Sequence, residues 1–155
     1  MNYWLMKSEP DTFGIDHLAK APRRTSGWDG VRNFQARNFL REMRVGDLVF
    51  FYHSSCDIPG VAGIAQVVRE AYPDRTAFDK KNDHYDADSD PDKPRWYMVD
   101  VQLVKKFDRV IALEELRKHA SGKLKDMVVL KRGNRLSITP VTKSEWQFIE
   151  SLAGK

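Results

Sequence analysis

Leu48-Val49-Phe50-Phe51-Tyr52-His53 places apolar or aromatic side chains at five successive positions. Side chains of a strand alternate between faces, so such a run is buried on both sides and reads as a central strand. Upstream, Val45-Gly46-Asp47 ends a helix. Asp29 is the expected N-cap, and Val31 to Met43 contains no breaker. At about 100° per residue, Ala36, Phe39, Leu40 and Met43 share one face while Arg37, Arg41 and Arg44 form a stripe opposite. Arg32 falls on the apolar side, so it points inward or along a cleft and needs a partner.

Downstream, Ser54 to Gly60 is a connecting loop and Val61 to Val68 a further strand, with Gly60 and Gly63 permitting close backbone approach or a bulge. Residues 69–95 form a long polar connection ending at Pro94, a length usually functional or mobile. Trp96 to Lys105 alternates, Tyr97, Val99, Val101 and Leu103 against Trp96, Met98, Asp100 and Gln102. Ile111 to His119 is a short helix, and Arg135-Leu136-Ser137-Ile138 a closing strand. Thr142-Lys143-Ser144-Glu145 is a capping box, stapled by Val141 and Trp146, that starts a helix burying Trp146, Ile149 and Leu152. At the other end, Tyr3-Trp4-Leu5-Met6 is a buried strand stopped at Lys7-Ser8-Glu9-Pro10. Ile15 to Ala19 makes one or two helical turns, and Ala21 to Gly27 is a loop. Strands interleave with helices without regular helical crossovers. The fold class is therefore mixed α/β (α+β), a small curved β-barrel with helices packed outside, in one domain over 1–155.

The 155 residues are 41% hydrophobic and 31% charged, a globular balance. The single cysteine, Cys56, excludes an internal disulfide framework and disfavours a thiolate metal site. No apolar run approaches the roughly 20 residues that cross a bilayer, and Met1-Asn2-Tyr3-Trp4 is no secretory signal. A soluble, cytoplasmic protein without a membrane partner is expected, monomeric by default. The net charge of +4 is uneven. Residues 79–92 set six aspartates against two lysines, whereas 20–44 carry +5 and 101–155 carry +6. Two readings fit: an anionic partner, nucleic acid first, or a solvated surface with a positive excess.

Catalytic and metal signals are weak. His17, His53, His84 and His119 lack ligand spacing, and the aspartate loop lacks the glycine and glutamate of a calcium loop. His53-Ser54-Ser55-Cys56 juxtaposes a base, hydroxyls and a thiol only along the chain. No phosphate, dinucleotide or nucleophile-elbow motif is present, so neither cofactor nor enzyme chemistry is expected. Trp28, inside Ser26-Gly27-Trp28-Asp29-Gly30, either presents a flat face from a glycine-flanked loop or folds back onto the barrel.

Several segments together resemble one family. Tyr3 to Pro10 resembles the opening of the EVE domain. Trp28 to Asn38, followed by Gly46-Asp47 and Phe50 to Ser54, resembles its longest motif. Gly63-Ile64-Ala65, Arg69 to Asp74 and Pro94-Arg95-Trp96 extend the match across nearly the whole chain. Phe34 stands where many members have tyrosine, so a hydrogen bond from that hydroxyl is not open to this chain.

The resemblance implies a PUA-like fold related to YTH and ASCH domains. It also implies recognition of modified bases, particularly 5-methylcytosine and its oxidised forms in DNA. A base must leave the stack to be read this way, so the site needs an aromatic wall, polar groups for the base edge and cations for phosphates. On that reading Trp28 is the wall, Ser8, Asn33 and Ser137 read polar edges, and Glu9 accepts from the exocyclic amine. Tyr52, His53 and Ile64 line the floor. Lys7, Arg32 and Arg95 contact phosphate or pocket, and Arg37, Arg41 and Arg44 track the backbone. Modified or structured RNA is the alternative ligand, and an ASCH-like nuclease or hydrolase using Lys7, Tyr52 or His53 the alternative class.

Overall fold

The computed structural model describes residues 1–154. Six strands, β1 (Tyr3–Ser8), β2 (Thr25–Trp28), β3 (Leu48–His53), β4 (Gly60–Pro73), β5 (Tyr97–Ala112) and β6 (Ile138–Val141), form one sheet in the order β2-β5-β4-β3-β1-β6. β1 and β3 run parallel and the remaining neighbours antiparallel. A parallel pair needs a long crossover. Here it carries α1 (Pro10–Phe13), α2 (Ile15–Lys20), β2 and α3 (Phe34–Glu42). Two further helices, α4 (Leu113–Arg117) and α5 (Lys143–Ala153), pack later in the chain, and among the described residues no helix is long and apolar enough to cross a membrane.

As its sequence requires, β3 is interior. Val49 and Phe51 enter one core with Trp4, Met6, Leu40, Ala65 and Val101. Phe50 and Tyr52 enter a second core with Leu5, Ile64, Leu116 and Trp146. In the second, the Phe50 and Trp146 rings stack at 3.7 Å. α5 starts at the expected capping box, with the Thr142 side chain accepting from Glu145 N–H and the Glu145 carboxylate from Thr142 N–H. It buries Trp146, Ile149 and Leu152.

The sheet is strongly curled. β2 lies three strands from β3, which in a flat sheet is about 14 Å. Yet the Trp28 and Phe51 rings meet at 5.2 Å, because β2 folds over the face of β3. The curved mixed sheet with outer helices is thus the expected one, open between its edges β2 and β6. β4 contributes at Gly60 and Gly63, where a Cβ would strike the backbone of Ile111 and Lys105 on β5.

Several boundaries differ from expectation. Thr25 to Gly27, expected as loop, forms β2 by pairing with Gln102, Val101 and Asp100 of β5 and carries Trp28 with it. β4 does not stop at Val68 but reaches Pro73 through bulges against β5. Bulges break the period-2 pattern, so the polar second half of the strand does not look like one. β5 likewise continues to Ala112, taking Ile111 out of the expected helix and into the second core. The last strand begins at Ile138 rather than Arg135.

Candidate nucleic-acid interface

α3 begins later than its sequence suggests. Asn33 is the N-cap, its Oδ1 accepting from Ala36 N–H at 3.0 Å, and Asp29 lies four residues upstream, outside the helix. The cause is a partner distant in sequence. Gly30, at φ +80°, donates its N–H to Asp74 Oδ2 at 2.8 Å, which holds residues 29–33 off the helix. A Cβ on Gly30 would also lie 2.6 Å from the His84 ring.

Asp74 is fully buried just beyond the end of β4. Besides Gly30 it accepts from Thr76 N–H (2.9 Å), Thr76 Oγ1 (2.6 Å) and Arg32 Nη1 (3.0 Å). Burial alone would raise this carboxyl, but bonds from Thr76, Gly30 and Arg32 outweigh it and hold it below the usual aspartate range. Arg32 therefore has the partner its position demands. Its other bonds go to Thr76 Oγ1 and the Val31 and His84 carbonyls. All five guanidinium N–H groups are used, so Arg32 has no donor to offer a phosphate. Its guanidinium thus ties residues 31–32 to Asp74, Thr76 and His84.

Beyond this anchor the surface alternates cations and rings. The Arg32 guanidinium lies 5.5 Å from the Trp96 ring, Trp96 stacks on Phe34 at 5.0 Å, and Arg37 lies 5.0 Å from Phe34. Arg41 sits over Tyr97 at 4.9 Å. Arg37 donates to the Arg95 carbonyl and Asn38 Oδ1. Arg95 reaches Asp86 at 3.5 Å, and Arg44 reaches Glu70 at 3.7 Å. Asp86 also accepts from Trp96 Nε1 at 2.6 Å, which holds its carboxyl low. The aspartate segment is thus not purely solvated: His84 and Asp86 tie it to residues 30–32 and 95–96, while Asx turns at Asp79, Asn82, Asp86 and Asp90 shape the rest.

The ends of β1 and β3 gather a second set, pairing Lys7 with Tyr52 and Ser8 with His53. The pleat then divides them. With Phe51, on the first core's face, go Trp28, Phe13 and His53; the Phe13 ring contacts Trp28, Phe51 and His17. Ser8 Oγ donates to the Phe13 carbonyl at 2.7 Å, and His53 Nε2 accepts from Ile15 N–H at 3.1 Å. Burial pushes the His53 imidazole below its ordinary value, in keeping with a ring nitrogen that must keep its lone pair. Tyr52 and Ile64 belong to the second core, on the opposite face from Trp28 and Phe51. Lys7 lies near Tyr52, Nζ 5.8 Å from the ring, and burial lowers its amine; its N–H donates to the Ser137 carbonyl at 2.8 Å.

Trp28 itself is 7% exposed. Of the two sequence readings, the side chain folds onto the sheet rather than standing out from a loop. Glu9 is exposed at the start of α1, its carbonyl accepting from Thr12 and Phe13 N–H. A polar cavity of about 410 Å³ opens beside the Trp28 backbone, lined by Ser26, Asp29, Arg69, Tyr72, Arg75 and Asp100, among others. In it Tyr72 donates to Asp100 at 2.5 Å, and burial with that bond pushes its phenol up to about 12. A larger cavity of about 760 Å³ lies at the other end of β1, around Met1 to Trp4.

Asp74, Phe13, Trp96 and Tyr97 were not among the sequence candidates. One signal asked for a residue such as Asp74: an arginine among apolar positions needs a partner, although Arg32 meets it from the chain before α3 rather than from a helix face.

The class that these features mark is a mixed domain with a curled sheet, helices outside it and a surface of arginines laid on aromatic rings. The family model described as EVE domain matches residues 2–152, and the chain belongs to that family. Thymocyte nuclear protein 1 of Homo sapiens is 49% identical, the match covering 99% of this chain and 75% of the relative. A crystal structure of human THYN1 protein in complex with 5-methylcytosine-containing DNA is 48% identical, with TM-score 0.96 over 100% of this chain and 99% of the other. A Pseudomonas putida protein of known structure is 50% identical, with TM-score 0.93 over 97% and 99% of the two chains.

Proposed function

We propose that this chain binds DNA and recognises a modified cytosine, 5-methylcytosine or an oxidised derivative, taken out of the base stack. One observation carries the reading: a relative of nearly identical backbone was crystallised with 5-methylcytosine-containing DNA. The surface chemistry supports it, because Arg37 and Arg41 lie on aromatic rings without a carboxylate partner among the described residues.

The base enters where β1 and β3 end. Ser8, Glu9 and His53 supply polar groups, and Trp28 stiffens the wall from within the aromatic cluster. Lys7 and Ser137 form the adjoining rim over the buried Tyr52. Arg95 with Arg37, Arg41 and Arg44 meets phosphates. Arg32 and Asn33 act indirectly, by fixing the chain between Trp28 and α3, and Ile64 is core. The protein is a binding module rather than an enzyme, one domain over 1–155, and works where DNA is held: the cytoplasm or nucleoid in a bacterium.

Matched DNA and RNA oligonucleotides, each with and without one 5-methylcytosine, test this by fluorescence anisotropy. Tightest binding to modified DNA is expected. Preference for the RNA pair, or time-dependent cleavage that disappears in His53→Ala, would overturn it.

A further inference from the structure

Phe34 is 54% exposed, although it opens α3 within a ring stack. One side of it is fixed: it stacks on Trp96 at 24° between planes, and Trp96 is itself buried. Arg37, bonded to the Arg95 carbonyl and to Asn38, lies against the same ring, and Arg41 lies one helical turn further along on Tyr97. Nearby cations are compensated: Arg32 by Asp74, Arg95 by Asp86 and Arg44 by Glu70. Arg37 and Arg41 have no carboxylate partner among the described residues.

An exposed aromatic side chain on the solvent side of a surface helix costs hydration without adding to the core. Two guanidinium groups pre-ordered on rings lose little freedom on meeting an anion. Rings and guanidinium planes together suit one kind of ligand, a flat heteroaromatic base with phosphates on either side. A base paired within a duplex offers no free face to such a surface, whereas an unpaired one does.

We infer that Phe34, with Arg37 and Arg41, forms a second contact surface that stacks one unpaired nucleobase beside the recognised cytosine and holds its flanking phosphates. This inference rests on the DNA-binding reading above and adds to it a base outside the recognition pocket. Phe34 takes the base face, and Arg37 and Arg41 take the two phosphates.

The probes are two DNA duplexes, each with a single 5-methylcytosine. One is fully paired; the other carries an unpaired 2-aminopurine next to the modified base. The wild type should bind the second more tightly and quench 2-aminopurine on binding. In Phe34→Leu that quenching should disappear and affinity for the unpaired probe fall about tenfold, the loss of one stacking contact. Affinity for the paired duplex should change less than about twofold on the same argument. Phe34→Trp should restore both signals. Unchanged thermal unfolding of Phe34→Leu separates this from a folding defect, since the side chain is largely in solvent.

Equal binding of both probes by wild type and Phe34→Leu would overturn the inference while leaving base recognition intact. Loss of quenching in the variant, with wild-type affinity unchanged when the 5-methylcytosine of each probe is replaced by cytosine, would sustain it and sink the recognition reading. Failure of the wild type to bind either duplex would overturn both.

Discussion

Replacing Asp74 by asparagine removes one charge and turns one oxygen into a donor. Oδ2 faces Gly30 N–H and Arg32 Nη1, and Oδ1 faces both Thr76 groups. Whichever way the amide turns, two of these donors meet an NH2 group. Hydrogen bonds to a charged group contribute roughly 1.5–3 kcal/mol each, and breaking a buried pair costs about 3–5 kcal/mol. Arg32 retains 23% side-chain exposure, so water repairs part of the loss. The lower end of that range follows, about 3 kcal/mol.

For a chain of this size that is a fall in Tm of roughly 6–12 °C. Urea unfolding followed by tryptophan fluorescence should show a lower midpoint at unchanged slope. A cycle with Arg32→Met should give a coupling of about 1–2 kcal/mol. The pH dependence has a definite sign. The folded carboxyl lies below its ordinary value near 3.9. Its contribution is therefore complete above about pH 4 and lost as pH falls further. The gap between wild type and Asp74→Asn should narrow in that acid window. A variant within about 0.5 kcal/mol of wild type at pH 7, the usual scatter of surface substitutions, would refute the reasoning.

Asp47→Ala removes a 2%-exposed carboxylate that accepts from Asn2 N–H, Trp4 Nε1 and Arg44 N–H. Three donors lose their acceptor, so a loss of about 2–4 kcal/mol is expected in denaturant titration. Gly30→Ala meets both a positive φ and the His84 ring, and should cost about 1–3 kcal/mol and detach the aspartate segment, read as faster amide exchange over 79–92. Arg37→Ala with Arg41→Ala should weaken binding to modified and unmodified DNA alike. The slope of log affinity against log salt should flatten by about 0.9 per lost phosphate contact.

The sheet was legible where its strands carry their own pattern. Leu48 to His53 announces burial on both faces, and Thr142 to Glu145 announces a helix start, because both signals are local. Boundaries were lost where a distant partner overrides local preference. Asp29 satisfies every local rule for an N-cap, but a carboxylate 44 residues away holds Gly30 in a left-handed conformation outside the helix and passes the cap to Asn33. Bulges hid the far half of β4 in the same way. For the site, residue types were more legible than their grouping. Lys7 and Ser8 are neighbours in sequence, yet the pleat sends them to opposite faces. Trp28 meets Phe51 only because the sheet curls, and no run of sequence encodes that contact.

The proposed recognition of a modified base is tested most directly by one titration. Wild-type protein is added to two labelled DNA duplexes of identical sequence, differing only in the methyl group of a single cytosine, at fixed salt. Tighter binding to the methylated duplex, retained as salt is raised, is the predicted result. Equal affinity for the two duplexes at every salt concentration would contradict it.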